Sequence, residues 1–243
     1  MESAPNPYLK NARLAAILFF SLCLPSALWG LSYVSSKIFV ARDPATTVSN
    51  ILSNEFLFRT GIVSHFIGTI AFIYMVLLFY RAFRPVSRHI TMAMLIIVVA
   101  QIPIVFVLEL LKITALYIVK DGVLTTVANM EKQEFVYLLL RMHGWGIGMS
   151  QAFWGLFFLP FGMLIYRSRY APRFLGILVM ITGTGYIADT LGFIMLQRSD
   201  FLQVQPFIKL TLVGGVLALL WFLIVGARLP KSTRKSQKEI FET

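Results

Sequence analysis

Long apolar runs separated by short polar turns dominate the chain. Six of them qualify as membrane spans: Leu14 to Val34, Gly61 to Tyr80, Ile90 to about Tyr117, Gly144 to Tyr166, Phe174 to Gln197, and Leu210 to Gly226. At 1.5 Å of rise per residue, a run of about 17–23 residues crosses a hydrocarbon core of ~30 Å. The pattern predicts an all-α integral membrane protein, a six-helix bundle. Residues 1–13 form a cytoplasmic N-terminal segment, 14–227 the six-span domain and 228–243 a basic cytoplasmic tail. The first run follows Lys10 and Arg13 and contains Pro25-Ser26-Ala27, which resembles a cleavage region. Its length exceeds that of a signal-peptide core, so it is read as a retained span.

Composition supports this reading. With 58% hydrophobic and 14% charged residues in 243, the chain has too little polar surface for a soluble globule of its size. A single cysteine, Cys23, excludes an intramolecular disulfide and a cysteine metal cage. The net charge of +11 changes meaning once it is placed along the chain. The side holding the termini carries Lys10, Arg13, Arg81, Arg84, Arg88, Arg167, Arg169, Arg173, Arg228, Lys231, Arg234, Lys235 and Lys238, against Glu2, Glu239 and Glu242. The positive-inside rule therefore places both termini in the cytoplasm of a plasma-membrane protein. Basic residues beside an anionic leaflet also remove the case for nucleic-acid binding, so the expected partners are membrane lipids and a small-molecule ligand. The oligomeric state is left open.

Outside the membrane, Asp43-Pro44 reads as an N-cap followed by proline at the first helical position. Val48, Ile51, Leu52 and Phe56 then recur at helical spacing, which predicts a short helix on the outer surface. A second outer loop starts with an Asp121-Gly122 turn and ends in "EFVYLLLR", expected to extend the fourth helix outward by about two turns. The cytoplasmic turns "YRAFRPVSR" and "YRSRYAPRF" are alike, and shared anchoring and turn chemistry explain them without a duplication.

The stretch "DPATTVSNILSNEFLFRTGIV" carries Glu55, Leu57, Phe58, Arg59 and Gly61. The block "GMLIYRSRYAPRFLGILVMITGTGYIAD" carries Tyr166, Ser168, Pro172, Leu175, Gly176, Gly183, Gly185, Tyr186 and Asp189. Together they resemble the signature regions of the membrane family domain of unknown function 4386, over about Asn11 to Gly226. The resemblance implies a multi-span prokaryotic membrane protein without an assigned activity.

Polar groups inside spans cost several kcal/mol unless paired or hydrated, so they are the first candidates for function. Seven fall in the outer leaflet: His65, Glu109, Lys112, Arg141, His143, Gln151 and Asp189. Glu109 and Lys112 form an i,i+3 pair, and Gln101 lies on the same side of the helix. Arg141, Gly144, Trp145, Gly148, Gln151, Ala152, Gly155 and Gly162 form one face of the fourth span. Thr182, Gly185 and Asp189 share a face of the fifth. The small residues allow close helix approach. The seven polar groups are taken as a binding pocket for a small molecule or lipid headgroup. The competing view is that pairs such as Asp189 with Arg141, or Glu109 with Lys112, only fix helix register.

Catalytic chemistry finds less support. "GTGYIAD" contains G-x-G-x-x-A, but no strand precedes it. Ser64 and His65 are adjacent on a helix and point about 100° apart, and Ser150 lies two turns from His143. A zinc site from His65, His143 and Asp189 or Glu109 has suitable ligand types. No His-x-x-x-His pair anchors it, and no metal, cofactor or catalytic residue is assigned. The expectation is a non-enzymatic protein, with a membrane-embedded, metal-dependent enzyme and a structural or stress-related membrane component as alternatives. Six spans without an inverted repeat fit alternating access poorly.

Overall fold

A computed structural model of the chain describes residues 7–120, 124, 126–196, 205, 211 and 213–227. Every regular element among them is helical. Helix α1 runs over Pro7–Leu18, widens to a π-helical turn at Phe19–Cys23, returns to α-helix at Leu24–Ala27, widens again at Leu28–Tyr33 and ends with Val34–Ile38. The two wide turns flank Pro25, which has no N–H to donate and whose ring crowds the carbonyl one turn back. Then follow α2 (Pro44–Ser53), α3 (Glu55–Phe83), α4 (Arg88–Lys120), α5 (Asn129–Ser168), α6 (Arg173–Met195) and α7 (Val213–Ile224).

Among the described residues, five segments are long and apolar enough to cross a membrane: Lys10–Ile38 of α1, and α3, α4, α5 and α6. The sixth expected span is represented by the 12 residues of α7. Its expected start at Leu210, Gln197, the Asp121-Gly122 turn and the basic tail lie outside the described residues. Helix α5 starts at Asn129, about four turns before Gly144 where two were expected. Helix α3 starts at Glu55, before Gly61, and paired charges stabilise its first turn. In α3, Glu55 occupies the first turn, where the helix dipole favours an acid. It accepts from Arg59 at 2.7 Å and from Lys120 at 2.9 Å.

Helix α2 forms where its cap signal places it. Asp43 Oδ1 accepts from the Thr46 amide at 2.9 Å and Oδ2 from the Thr46 hydroxyl at 2.6 Å, which hold the carboxyl below its ordinary pKa. Val48 and Ile51 are buried, whereas Leu52 and Phe56 are exposed. The helical spacing does not carry through to Phe56, because the chain bends at Asn54 and Phe56 belongs to α3.

The chain forms two compact units, each built from several segments. The first comprises Met1–Phe19, Ile73–Val99 and Gln151–Thr243, and the second Phe20–Phe72 and Ala100–Ser150. Aromatic rings centre the first unit: Phe79, Phe83, Phe161 and Phe222 are all 0% exposed, and Phe79 lies 4.7 Å from Phe161 between ring centroids. Against this cluster, α5 and α6 meet through two glycine pairs. A Cβ on Gly155 would lie 2.7 Å from the Gly183 carbonyl oxygen, and one on Gly162 would lie 2.6 Å from that of Gly176. Backbone-to-backbone contact of this kind is how membrane helices gain packing energy without a hydrophobic driving force between them.

In the second unit Val34, Ile38, Val48, Ile51, Phe58, Ile62, Ala115, Leu116, Val136 and Leu139 pack together. The positions of α5 buried here are Val136, Leu139, His143 and Ser150, with Gly146 half-buried between them. The glycine-rich face read from the sequence therefore splits. Gly155 and Gly162 pack on α6, while Gly144 is exposed with nothing within 4 Å of a Cβ, and Trp145 is exposed. Outward positions on the long helices, such as Ile70, Ile96, Phe106 and Leu110, are apolar and exposed, as lipid-facing surfaces require.

Candidate polar centre

Four of the seven polar residues meet inside the second unit. Helix α4 buries Gln101, Val105, Leu108, Glu109, Lys112, Ala115 and Leu116, a helical stripe with charged members set among apolar ones. The Glu109 side chain is 0% exposed. Its Oε1 lies 2.5 Å from His65 Nδ1 of α3 and 3.2 Å from His143 Nε2 of α5. Its Oε2 lies 3.4 Å from Lys112 Nζ and has no hydrogen-bond partner. With neutral imidazoles, a proton on His65 Nδ1 and one on His143 Nε2 would each be donated to the same oxygen. The sum of charges is then zero, which is the condition under which a low-dielectric interior tolerates a carboxylate and an ammonium.

Helix register explains the meeting. Lys120 and Glu55 pair at one end of α4 and α3. Counting back from Lys120 to Glu109 and forward from Glu55 to His65 covers similar lengths, about 16 Å in α4 and about 15 Å in α3. Helix α5 joins through Gly146, whose missing side chain leaves room for Leu108. That close approach, one turn from His143, brings the imidazole within reach of Glu109.

The other three residues are placed differently. Arg141 lies over Trp145 at 4.9 Å and over Tyr137 at 5.9 Å from the ring centroids. The hollow beside it is lined by residues of α5 alone, among them Glu134, Leu138 and Trp145. Gln151 and Asp189 belong to the first unit. Asp189 is buried on α6 together with Thr182 and Gly185, on the face expected of it. Thr182 Oγ1 donates to the Thr211 carbonyl at 2.8 Å and accepts from the Gly215 amide at 3.2 Å. Of the two acids considered alongside the histidines, Glu109 is therefore the one that joins them.

His65, Glu109 and His143 each offer one ligand atom, all within 4.8 Å of one another. The two serines weighed as nucleophiles are both hydrogen-bonded to backbone carbonyls. Ser64 donates to the Ser26 carbonyl at 2.8 Å and Ser150 to the Ile147 carbonyl at 2.8 Å.

Long apolar helices, three of which meet at a buried charged cluster, define a multi-span helical membrane protein. The chain belongs to the family described as Domain of unknown function (DUF4386), which matches residues 15–226. It is also similar to an uncharacterized protein of Archaeoglobus fulgidus, 29% identical over 153 residues, covering 62% of this chain and 74% of the relative. No solved structure matches.

Proposed function

We propose that the protein is a six-span plasma-membrane protein with both termini cytoplasmic, and that it acts non-enzymatically by binding a small polar or ionic ligand at the His65–Glu109–Lys112–His143 cluster, on the outer side. The observation that carries this reading is a fully buried carboxylate, shared by residues of three helices, whose Oε2 has the Lys112 ammonium at 3.4 Å as an ion-pair partner but makes no hydrogen bond. Burial of such a group is costly, and a cluster needed only for register would be expected to satisfy every atom. The engaged hydroxyls of Ser64 and Ser150 favour binding over covalent chemistry. A membrane-embedded metal-dependent enzyme is the second reading, favoured by two imidazoles converging on one carboxylate.

Native mass spectrometry of the protein released gently from its own membrane tests the centre. The wild type is expected to retain a non-protein mass that Glu109→Gln loses. A bare wild-type chain, with Glu109→Gln altering only thermal stability, would reduce the cluster to a helix-register device. Topology has its own test. Alkaline phosphatase fused after Ser53 is expected to be active and after Pro85 inactive, and the reverse pattern would invert the orientation.

A further inference from the structure

We infer that His65 Nδ1, Glu109 and His143 Nε2 are the protein ligands of a single divalent transition-metal cation of the zinc class, with Lys112 as the counter-ion that holds the carboxylate when the metal is away. This rests on the reading of the cluster as a binding centre and names what it binds.

Donor chemistry selects the metal class. Two imidazole nitrogens and one carboxylate suit zinc, cobalt, nickel or iron, whereas magnesium and calcium prefer all-oxygen shells. Each ligand comes from a different helix, α3, α4 or α5, so the site is defined by tertiary packing and converges from three directions. The three ligand atoms lie within 4.8 Å of one another. Two ligands bonded at ~2.1 Å to one tetrahedral ion are about 3.4 Å apart. The His143 distance of 3.2 Å is already close to that. The 2.5 Å distance to His65 has to open by roughly an ångström, within the reach of a carboxylate rotation. Three protein ligands leave the fourth position for water or a small anion.

Lys112 makes the proposal separable from a structural role. Its ammonium lies 3.4 Å from Glu109 Oε2, where it competes electrostatically with a divalent cation. A residue that serves only to neutralise Glu109 should weaken the centre when removed. A residue that competes with metal should strengthen metal binding when removed.

The experiment uses the full-length protein in nanodiscs, stripped with a chelator and titrated with Co²⁺ as a spectroscopic probe, with Zn²⁺ as competitor. One Co²⁺ per chain is expected, with the visible absorption of a low-coordinate nitrogen–oxygen site, and Zn²⁺ should displace it. Glu109→Gln and His143→Gln should each weaken binding about a hundredfold or more, and Lys112→Met should tighten it roughly tenfold or more. His65→Asn provides a further ligand deletion if one of the others fails to fold, as judged by a monodisperse elution profile. Absence of stoichiometric Co²⁺ in the wild type, or equal binding in wild type and ligand variants, overturns the metal assignment. If Co²⁺ fails but native mass spectrometry finds another adduct lost in Glu109→Gln, the metal falls and the binding centre stands. If neither is found, both fall.

Discussion

Replacing Glu109 with alanine should destabilise the protein by about 3–5 kcal/mol, the range found when one partner of a buried ion pair is removed. The Lys112 side chain is 6% exposed and would be left in an apolar interior without the carboxylate that pairs with it. The His65 and His143 rings would lose their shared acceptor at the same time. Thermal unfolding in a single lipid–detergent mixture measures the effect, and a variant melting with the wild type would show that the cluster is hydrated or already loosely held. The paired variant Glu109→Met with Lys112→Met is expected to recover most of the loss, because it removes both charges and fills the space with flexible apolar chains. Recovery of stability without recovery of ligand binding would separate what the cluster costs from what it does.

The second large effect is expected at the α5–α6 contact. Gly162→Val should cost at least the 1–3 kcal/mol typical of overpacking. A Cβ there would meet the Gly176 carbonyl oxygen at 2.6 Å and the Met180 amide nitrogen at 2.8 Å, so the clash is with backbone and no rotamer relieves it. The matching position one heptad away, Gly155 against Gly183, holds the same two helices in the same way. Gly144→Ala is the control, since it is helical with open space around it. It should be neutral or stabilising by a few tenths to about 1 kcal/mol through reduced unfolded-state freedom. Similar losses from both substitutions would mean that glycine content, rather than the close contact, matters in α5.

What the sequence revealed follows from where polarity carried information. The cap at Asp43, the extension of α5 and the face of α6 holding Thr182, Gly185 and Asp189 were legible because polar or turn residues marked them. The inward face of α5 in the second unit was not. In a lipid-exposed helix both faces are apolar, so periodicity cannot distinguish a residue facing a neighbour from one facing acyl chains. The glycines offered a face that holds at Gly155 and Gly162 and fails at Gly144. His143 was the better marker, since its spacing from Val136, Leu139, Gly146 and Ser150 traces the stripe. The ring cluster of Phe79, Phe83, Phe161 and Phe222 was invisible for the same reason. Depth alone gave both Glu109 and Asp189 as partners for the histidines. Choosing between them required the α3–α4 register set by Glu55 and Lys120, a contact between distant parts of the chain.

The two widened turns of α1 have an evolutionary consequence. A π-helical turn accommodates one more residue than an α-helical turn, so Phe19–Cys23 and Leu28–Tyr33 each hold the equivalent of a single inserted residue. Elsewhere in a packed span, losing one residue rotates everything beyond it by about 100° and turns the buried face outward. In α1 the same loss can be absorbed by tightening a wide turn. The first helix is therefore where this chain can lose a residue inside the membrane and still present the same side chains to its neighbours.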